Sequence, residues 1–426
     1  MSPWQLRISM FLALALAACG PKPAPDLGGG GDGDEIGGGG DGSDPDKALQ
    51  AAAPARPVVK GEARDLFKKG VSAYESGRFE QAADFFKGAI SEDAGFGEAY
   101  VNLGLSYEAL GRKDEARATY QASAEKVKGY GWGLVNIGRM DLEDGKRGEA
   151  YGTFQRAVQV DALTPAAHLN LALARKQQKD FAEAVKHVRT ALKSDSQNVD
   201  AYEVLAKIYY DLGRFELAKL VCETGIQIDK TAAGVHNMLG LVYMRLDDVT
   251  RALAAFEDAV GADKDFVPAH MNIGAITFNY RDYETAYRHF SEALRVEPKN
   301  IEAMLSQAVA ARGMERFDEA EKGYRAVLAA QPSHVGAHFN LGVLYQEYLQ
   351  KLPEALQEFE AVLRFENQDA NLRQDVSKRI QATRIQIEAI KEMQNAPPPP
   401  PEEPKAEGAD GGGDDGGDAG GEPVVP

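Results

Sequence analysis

Histidines recur in this chain with a spacing that invites a metal-binding or catalytic interpretation. Four of the seven are separated by multiples of 34 residues: His168, His236, His270 and His338. Imidazole is a common zinc ligand and a common general base. However, if the chain is built from repeat units, equivalent residues of neighbouring units lie about one unit apart, which is too far for them to share a metal ion. The sequence also lacks the HExxH, GxSxG, Walker and dinucleotide-binding patterns. We therefore predict no metal site, no cofactor and no enzymatic activity.

Asparagines return with the same period. They lie inside apolar stretches such as YVNLG and HFNLG, at Asn102, Asn136, Asn170, Asn272 and Asn340. A side-chain amide both donates and accepts hydrogen bonds, so a row of amides can hold the backbone of a bound peptide whatever its sequence. The alternative is that Asn is simply common at this place and caps or solvates a helix.

The apolar residues follow the period too, and they divide residues 63–369 into nine units of 34 residues, with one insertion in the ninth. Within a unit, positions 4, 7, 8 and 11 have helical spacing. Position 8 is always Gly or Ala, position 20 is always Ala, and position 24 is aromatic in seven units. Small residues let two antiparallel helices approach closely, and the large residue fills the space beside them. One such pair cannot bury its own apolar face, so the units must stack.

This pattern resembles the tetratricopeptide repeat. The resemblance implies an all-α solenoid of nine helix-turn-helix repeats, wound into a right-handed superhelix whose concave face is lined by the first helices. Glycines near position 15 suit the turn between the helices, and Pro298 and Pro332 suit the end of the second helix. We predict that residues 370–396 form a helix that caps the last repeat. A partner-binding helix is the alternative.

The N-terminal residues carry one basic residue, Arg7, and then an apolar run that ends in LAAC. The run is short for a membrane span and is built like a secretory signal. Its end resembles the lipobox of bacterial lipoproteins, which implies a signal peptide over residues 1–18 and a covalent lipid on Cys19 that anchors the protein. Gly20, in place of Asp, implies the outer membrane, with the folded part facing the periplasm. A plain secretory signal with a chance cysteine is the alternative. The other cysteine, Cys222, is expected to be a small buried hydrophobe.

Both ends of the mature chain have an unusual composition. The linker from Cys19 to residue 62 and the tail at 397–426 are rich in Gly, Pro and acidic residues, and we predict that they are disordered because they cannot bury enough apolar surface. They hold most of the net charge of −17. The repeats are only mildly acidic and show no basic patch for nucleic acid.

Several large apolar residues fall at positions expected on the concave face. A contiguous exposed patch of such residues marks an interaction surface. Together with the five asparagines they make up the predicted partner-binding face: Leu169, Leu173, Tyr210, Leu241, Met244, Met271, Phe278, Phe339 and Val343. The alternative is that curvature buries these side chains between repeats.

A lipobox followed by a long repeat array resembles the tetratricopeptide-repeat lipoprotein of the myxobacterial gliding-motility machinery. That resemblance implies a non-enzymatic outer-membrane scaffold that binds other envelope proteins and supports assembly of a multiprotein motility complex. It implies no small-molecule substrate. Two alternatives stay open. One is a pilotin that assists assembly of the secretin of type IV pili, and the other is a lipoprotein that activates a cell-wall synthase.

Overall fold

The computed structural model describes residues 59–365 and 369–395. In these two ranges every regular element is helical, which confirms the predicted all-α class. The described residues divide into two compact units, 59–337 and 338–395. The predicted signal peptide, Cys19, nearly all of the linker and the acidic tail lie outside the described residues.

Eight consecutive helical pairs form the first unit and confirm the predicted helix-turn-helix repeats. Their first helices are α1 (Gly61–Glu75), α3 (Gly97–Ala109), α5 (Trp132–Glu143), α7 (Pro165–Gln177), α9 (Val199–Asp211), α11 (Ala233–Arg245), α13 (Val267–Asn279) and α15 (Ile301–Gly313). Their second helices are α2 (Phe79–Glu92), α4 (Lys113–Lys126), α6 (Arg147–Val160), α8 (Phe181–Ser194), α10 (Phe215–Ile228), α12 (Val249–Ala262), α14 (Tyr283–Val296) and α16 (Phe317–Ala330).

One left-handed residue joins the two helices of every repeat. Position 15 has a φ between 53° and 75° in all nine repeats, both where it is glycine, as at Gly145, and where it has a side chain, as at Lys179 and Arg281. Glycine adopts this conformation freely, whereas an L side chain costs about 1–2 kcal/mol there. The predicted turn glycines are confirmed. Because residues with side chains adopt the same conformation, the packing of the two helices must impose it.

The small residue at position 8 and the large residue at position 24 meet across each hairpin, as predicted. A Cβ placed on Gly138 would lie 2.5 Å from Cε1 of Phe154, so the ring occupies the space that any side chain would need. In the fourth repeat position 8 is Ala172, and its counterpart is the smaller Val188; both are fully buried in one cluster. Repeat 5 likewise pairs Ala206 with the small Cys222, so the volumes at the two positions compensate each other in these two repeats, whereas repeat 8 combines Ala308 with Tyr324.

The repeats stack through their first helices. Each second helix from α2 to α14 packs against the first helix of its own repeat and that of the next, and α9 also contacts α7 and α11 directly. The first helices therefore form one side of the first unit, which we name the first-helix face. The second helices form the opposite side, the second-helix face.

The second unit contains most of the ninth repeat and a terminal helix. Helix α17 (Val335–Val343) continues into a π-helical turn (Leu344–Tyr348), in which the main-chain N–H of Leu349 donates to the oxygen of Leu344. A π-helical turn holds one more residue than an α-helical turn, and it accompanies the insertion detected in the sequence. Helix α18 (Leu352–Arg364) follows, and α19 (Ala370–Asn395) packs on it. This confirms the predicted terminal helix.

Candidate partner-binding face

Three of the predicted asparagines bond to their own helices. The amide nitrogen of Asn102 donates to the main-chain oxygen of Glu98 at 2.9 Å. Asn136 and Asn170 make the equivalent bond four residues back, at 3.0 and 2.8 Å. This bond to the main chain agrees with the alternative in which Asn serves its own helix. It also holds the side-chain amide in a fixed orientation. An amide that uses one N–H in this way still has a carbonyl oxygen and a second N–H for a partner.

The remaining two asparagines have other surroundings. Asn272 reaches across to the previous repeat, where its amide nitrogen donates to the side-chain oxygen of Asn237 at 2.9 Å. Asn340, in the second unit, is only 8% exposed. The five asparagines therefore do not form one uniform row: three bond along their helices, one bonds between repeats, and one is buried.

Half-buried apolar side chains cover the first-helix face from repeat 4 to repeat 7. They are Leu173, Tyr210, Leu241, Met244, Met271 and Phe278. One side of each residue packs against the core. The ring of Tyr210 meets Phe215 edge to face with centroids 5.6 Å apart, and the ring of Phe278 contacts Tyr283 at a tilt with centroids 5.3 Å apart. Leu241 belongs to two successive apolar clusters and so joins neighbouring repeats. The exposed sides of these residues give this stretch an apolar surface.

Three other apolar residues predicted for this face are buried. Leu169 is 7% exposed and packs with Val204 and Ile208 of the next repeat. In the second unit, Phe339 and Val343 are 8% and 4% exposed. For these residues the structure corresponds to the alternative in which packing between helices covers the side chains.

Charged residues on the same stretch are paired with one another. Nζ of Lys176 lies 2.7 Å from Oδ2 of Asp211 in the next repeat, and Nζ of Lys207 lies 2.5 Å from Oε1 of Glu203. Sequence reasoning missed both pairs. The second has a recognisable signal, because residues four apart face each other on a helix. The first joins residues 35 apart, and only the stacking of repeats brings them together. These pairs neutralise four of the charges on the stretch, whereas the guanidinium of Arg245 lies 5.9 Å from the ring centroid of Tyr210 and adds a positive charge.

The histidines pair within repeats, which the sequence analysis did not foresee. Nε2 of the buried His168 lies 3.0 Å from the main-chain oxygen of Ala162, so this nitrogen carries the proton and donates. Its Nδ1 then accepts from Nδ1 of His187 at 3.0 Å. His270 and His289 form an identical pair three repeats later. Positions 4 and 23 lie on different helices, and only the hairpin brings them together.

The environment of His168, His187 and His289 favours the neutral imidazole. Burial lowers the pKa of His168, and burial together with the charge of its partner lowers the pKa of His187. The same causes lower the pKa of His289 to about 4. Within residues 59–365 and 369–395, no group of three or more His, Cys, Asp or Glu side chains has the geometry to hold a metal ion. The pairs therefore act as hydrogen-bonded core contacts.

Cys222 is fully buried, and burial raises the pKa of its thiol to about 12. It therefore behaves as the small hydrophobe that was expected, and its thiolate does not form near neutral pH. Among the described helices, none combines the length and the apolar content needed to cross a bilayer.

Comparison with family models and known structures agrees with this fold. Models described as "Tetratricopeptide repeat" match residues 73–134, 175–242, 233–266 and 305–370, which together make up about half of the chain. A comparison with curated protein sequences finds no match.

Three solved structures illustrate the structural likeness. The human IFIT1 dimer with m7Gppp-AAAA is 16% identical, with 81% of this chain and 86% of that chain covered and a TM-score of 0.52. A tetratricopeptide repeat protein from Parabacteroides merdae is 16% identical (60% and 98% covered, TM-score 0.39). YrrB, described as a TPR protein with an unusual peptide-binding site, is 21% identical (43% and 95% covered, TM-score 0.33). At 16% identity, the likeness to the IFIT1 structure shows the fold alone.

Repeats of this kind form protein-interaction scaffolds. The nine helical pairs, the recurring small and large residues and the matching family models all agree. The chain belongs to the tetratricopeptide-repeat proteins and is built as a protein-interaction scaffold.

Proposed function

We propose that this protein is a non-enzymatic, lipid-anchored scaffold of the outer membrane that holds a segment of another envelope protein on its first-helix face. Through this contact it supports assembly of a multiprotein motility complex of the gliding type. The lipid on Cys19 supplies the anchor, and the folded repeats face the periplasm. No nucleic acid, small-molecule substrate or cofactor takes part.

The observation that carries this proposal is the half-buried apolar stretch of repeats 4 to 7. Leu241 and Met244 on α11 and Phe278 on α13 each have one side packed in the core and another side in solvent. Side chains that are already held on one side lose little conformational freedom when a partner covers the other. They are therefore well placed to anchor a partner.

The paired charges define the chemistry of the partner. Because Lys176 and Lys207 are already neutralised by Asp211 and Glu203, these two pairs attract neither a strongly acidic nor a strongly basic segment, and Arg245 beside Tyr210 adds a positive charge. The stretch fits a segment with large apolar side chains. Asn170, on the same stretch, can add a hydrogen bond to the partner's backbone, worth about 0.5–1.5 kcal/mol net. Such bonds alone support weak binding only, so the apolar contacts must supply most of the affinity.

A gain-of-bulk substitution tests the proposal without removing any core contact. Ala275 is half-buried on α13 of the same face, and Ala275→Arg places a long side chain across the binding stretch. The matched control is Ala118→Arg, on the exposed side of α4. Both variants replace the same residue type on a helix. In a gliding Gram-negative host that produces this protein, A275R should abolish movement, while A118R moves normally and both proteins accumulate to the same level.

The same strains separate the proposal from its alternatives. If the protein is a pilotin, the A275R strain should lose its secretin multimers. If it activates a cell-wall synthase, the same strain should show altered glycan polymerisation. The gliding scaffold predicts that both are intact. Normal movement in the A275R strain would contradict the proposal. The anchor is tested separately, because Cys19→Ser should remove the protein from the outer-membrane fraction.

A further inference from the structure

Helix α10 carries an apolar stripe that the other repeats lack. Leu217 and Leu220 are 41% and 59% exposed on the second-helix face. They occupy positions 19 and 22 of the fifth repeat. In the other eight repeats position 19 is Gln, Glu, Arg or Thr, and position 22 is Asp, Ala, Gly, Lys, Arg or Gln. Ile228, which is 37% exposed, follows Leu217 by three helical turns and lies on the same side of the helix. The stripe is about 16 Å long.

The repeats on either side of this stripe carry opposite charge. Repeat 4, at residues 165–198, has six Lys and Arg against three Asp and Glu, whereas repeat 6, at residues 233–266, has three against six. On the second-helix face, α8 exposes Lys186 and Arg189, and α12 exposes Glu257 and Asp258. Lys186 also pairs with Glu183 at 3.3 Å, but its side chain remains 74% exposed. The apolar stripe therefore runs between a basic helix and an acidic helix.

This arrangement is complementary to itself. Because every second helix packs between the first helices of its own and the next repeat, α8, α10 and α12 follow one another along the second-helix face. A two-fold axis parallel to α10 brings α10 onto its own copy in parallel orientation, and it brings α8 of each chain onto α12 of the other. A two-fold axis across α10 instead brings α8 onto α8 and α12 onto α12, which juxtaposes like charges.

We propose that the second-helix face of repeats 4 to 6 binds a second copy of this chain about a two-fold axis parallel to α10. Leu217, Leu220 and Ile228 meet their own copies at the centre. Lys186 and Arg189 of each chain face Glu257 and Asp258 of the other. Two-fold contacts of this kind are the commonest form of self-association. The first-helix face takes no part, so this inference does not depend on the proposed function.

The size of the face sets the expected strength. Three helices of 14 residues, each about 20 Å long, offer a few hundred Å² per chain, which is at the small end of specific interfaces. We therefore expect a dissociation constant in the micromolar range.

A cysteine cross-link tests the geometry. The parallel two-fold places Leu220 against Leu220 of the other copy, so full-length protein carrying Cys19→Ser and Leu220→Cys should form a disulfide-linked dimer under oxidised glutathione. The matched control is Cys19→Ser with Arg288→Cys, which occupies the same repeat position on α14. The native Cys222 is fully buried and does not interfere. Equal cross-linking of both variants, or none at Leu220→Cys, would overturn the proposal.

A charge-reversal experiment tests the pairing of α8 with α12. The variants K186E/R189E and E257K/D258K should each raise the dimer dissociation constant at least tenfold in sedimentation-velocity analysis. An equimolar mixture should restore dimerisation to near the wild-type value, because each basic surface in the mixed dimer again faces an acidic one. A wild-type chain that stays monomeric at 100 µM, or a mixture as weak as its components, would refute the model.

Discussion

Nδ1 of His168 and Nδ1 of His187 lie 3.0 Å apart across the two helices of the fourth repeat. Only one proton fits between them. Since Nε2 of His168 already donates to a main-chain oxygen, His187 must be the donor when both rings are neutral. A second proton between these nitrogens would turn His168 into a cation in a partly apolar interface and would set one N–H against the other, so the hydrogen bond would be lost. The same arrangement in His270 and His289 gives the array two contacts that require neutral histidine.

These pairs predict that acid destabilises the repeats. Burial and mutual repulsion hold the pKa of His289 near 4 in the folded protein, against about 6.5 when unfolded. The unfolded chain therefore takes up the proton first. The stabilisation is complete above about pH 6.5 and is lost as the pH falls toward 4.

Neighbouring charged residues shift the pKa of His187 and of His289 in both directions. Arg175 and Lys186 lower and Glu183 raises the pKa of His187, and Arg288 and Glu292 act likewise on His289. We expect the melting temperature to fall by roughly 2–5 °C more between pH 7.5 and 5 in the wild type than in H187Q/H289Q. Glutamine can still donate to the neighbouring imidazole but does not titrate. Parallel curves for the two proteins would contradict this account.

The contact between positions 8 and 24 predicts that a substitution at one position offsets the destabilising effect of a substitution at the other. Gly138→Ala pushes a methyl group against Phe154 and should cost about 1–3 kcal/mol of unfolding free energy. Phe154→Val leaves a cavity and should cost about 2–3 kcal/mol. The double variant reproduces the Ala172 and Val188 pair of the fourth repeat, so it should be at least 1 kcal/mol more stable than the sum of the single effects implies. Urea unfolding of the four proteins measures this coupling, and additive effects would show that the two positions act independently.

The left-handed turn predicts opposite effects for two glycines seven residues apart. Gly145 has a φ of 75° and Gly152 lies within α6; a Cβ on either would have no neighbour within 4 Å. Gly145→Ala should therefore destabilise the protein by about 1 kcal/mol through backbone strain alone. Gly152→Ala should stabilise it by about 0.5–1 kcal/mol because alanine favours the helix. Shifts of the same sign in thermal unfolding would refute the conformational explanation.

The periodicity was sufficient to predict the helical pairs, the turn position and the contact between positions 8 and 24, because each recurs in phase along the chain. It was not sufficient to predict which side chains stay exposed. Leu169 and Leu173 look alike in the sequence, yet the first is buried by the next repeat and the second is half-exposed. Pairs such as His168 with His187 and Lys176 with Asp211 depend on the packing of separate helices, which no local pattern specifies.

The second unit contains a buried charged side chain that the sequence pattern did not predict. Arg379 of α19 is 8% exposed and donates to Oε1 of Gln346 at 2.6 Å and to Oε1 of Glu347 at 2.9 Å. Its guanidinium lies 5.8 Å from the rings of Phe339 and Phe359. The packed side of the terminal helix therefore includes a buried cation.

Removing this cation should loosen the terminal helix. Arg379→Met removes the donor to Oε1 of Gln346, whose amide nitrogen keeps its bond to Thr383, and the partner of the exposed Glu347, so it should cost about 1–3 kcal/mol. Arg373→Met changes an exposed residue of the same helix and should shift stability by no more than about 0.5 kcal/mol. Amide hydrogen exchange in α18 and α19 should accelerate in the first variant only. Unchanged exchange in R379M would show that apolar packing alone holds α19.

The most direct test of the central claim is photo-crosslinking in cells from the first-helix face. A photoreactive amino acid at Met244 lies within the proposed binding stretch, and the same residue at Arg288 on the second-helix face of repeat 7 serves as the control. We expect one envelope protein to be captured from Met244 alone, through a peptide rich in large apolar side chains, and to be lost when Ala275→Arg is added. Capture of the same proteins from both sites, or capture from Met244 that persists in the A275R background, would contradict the account.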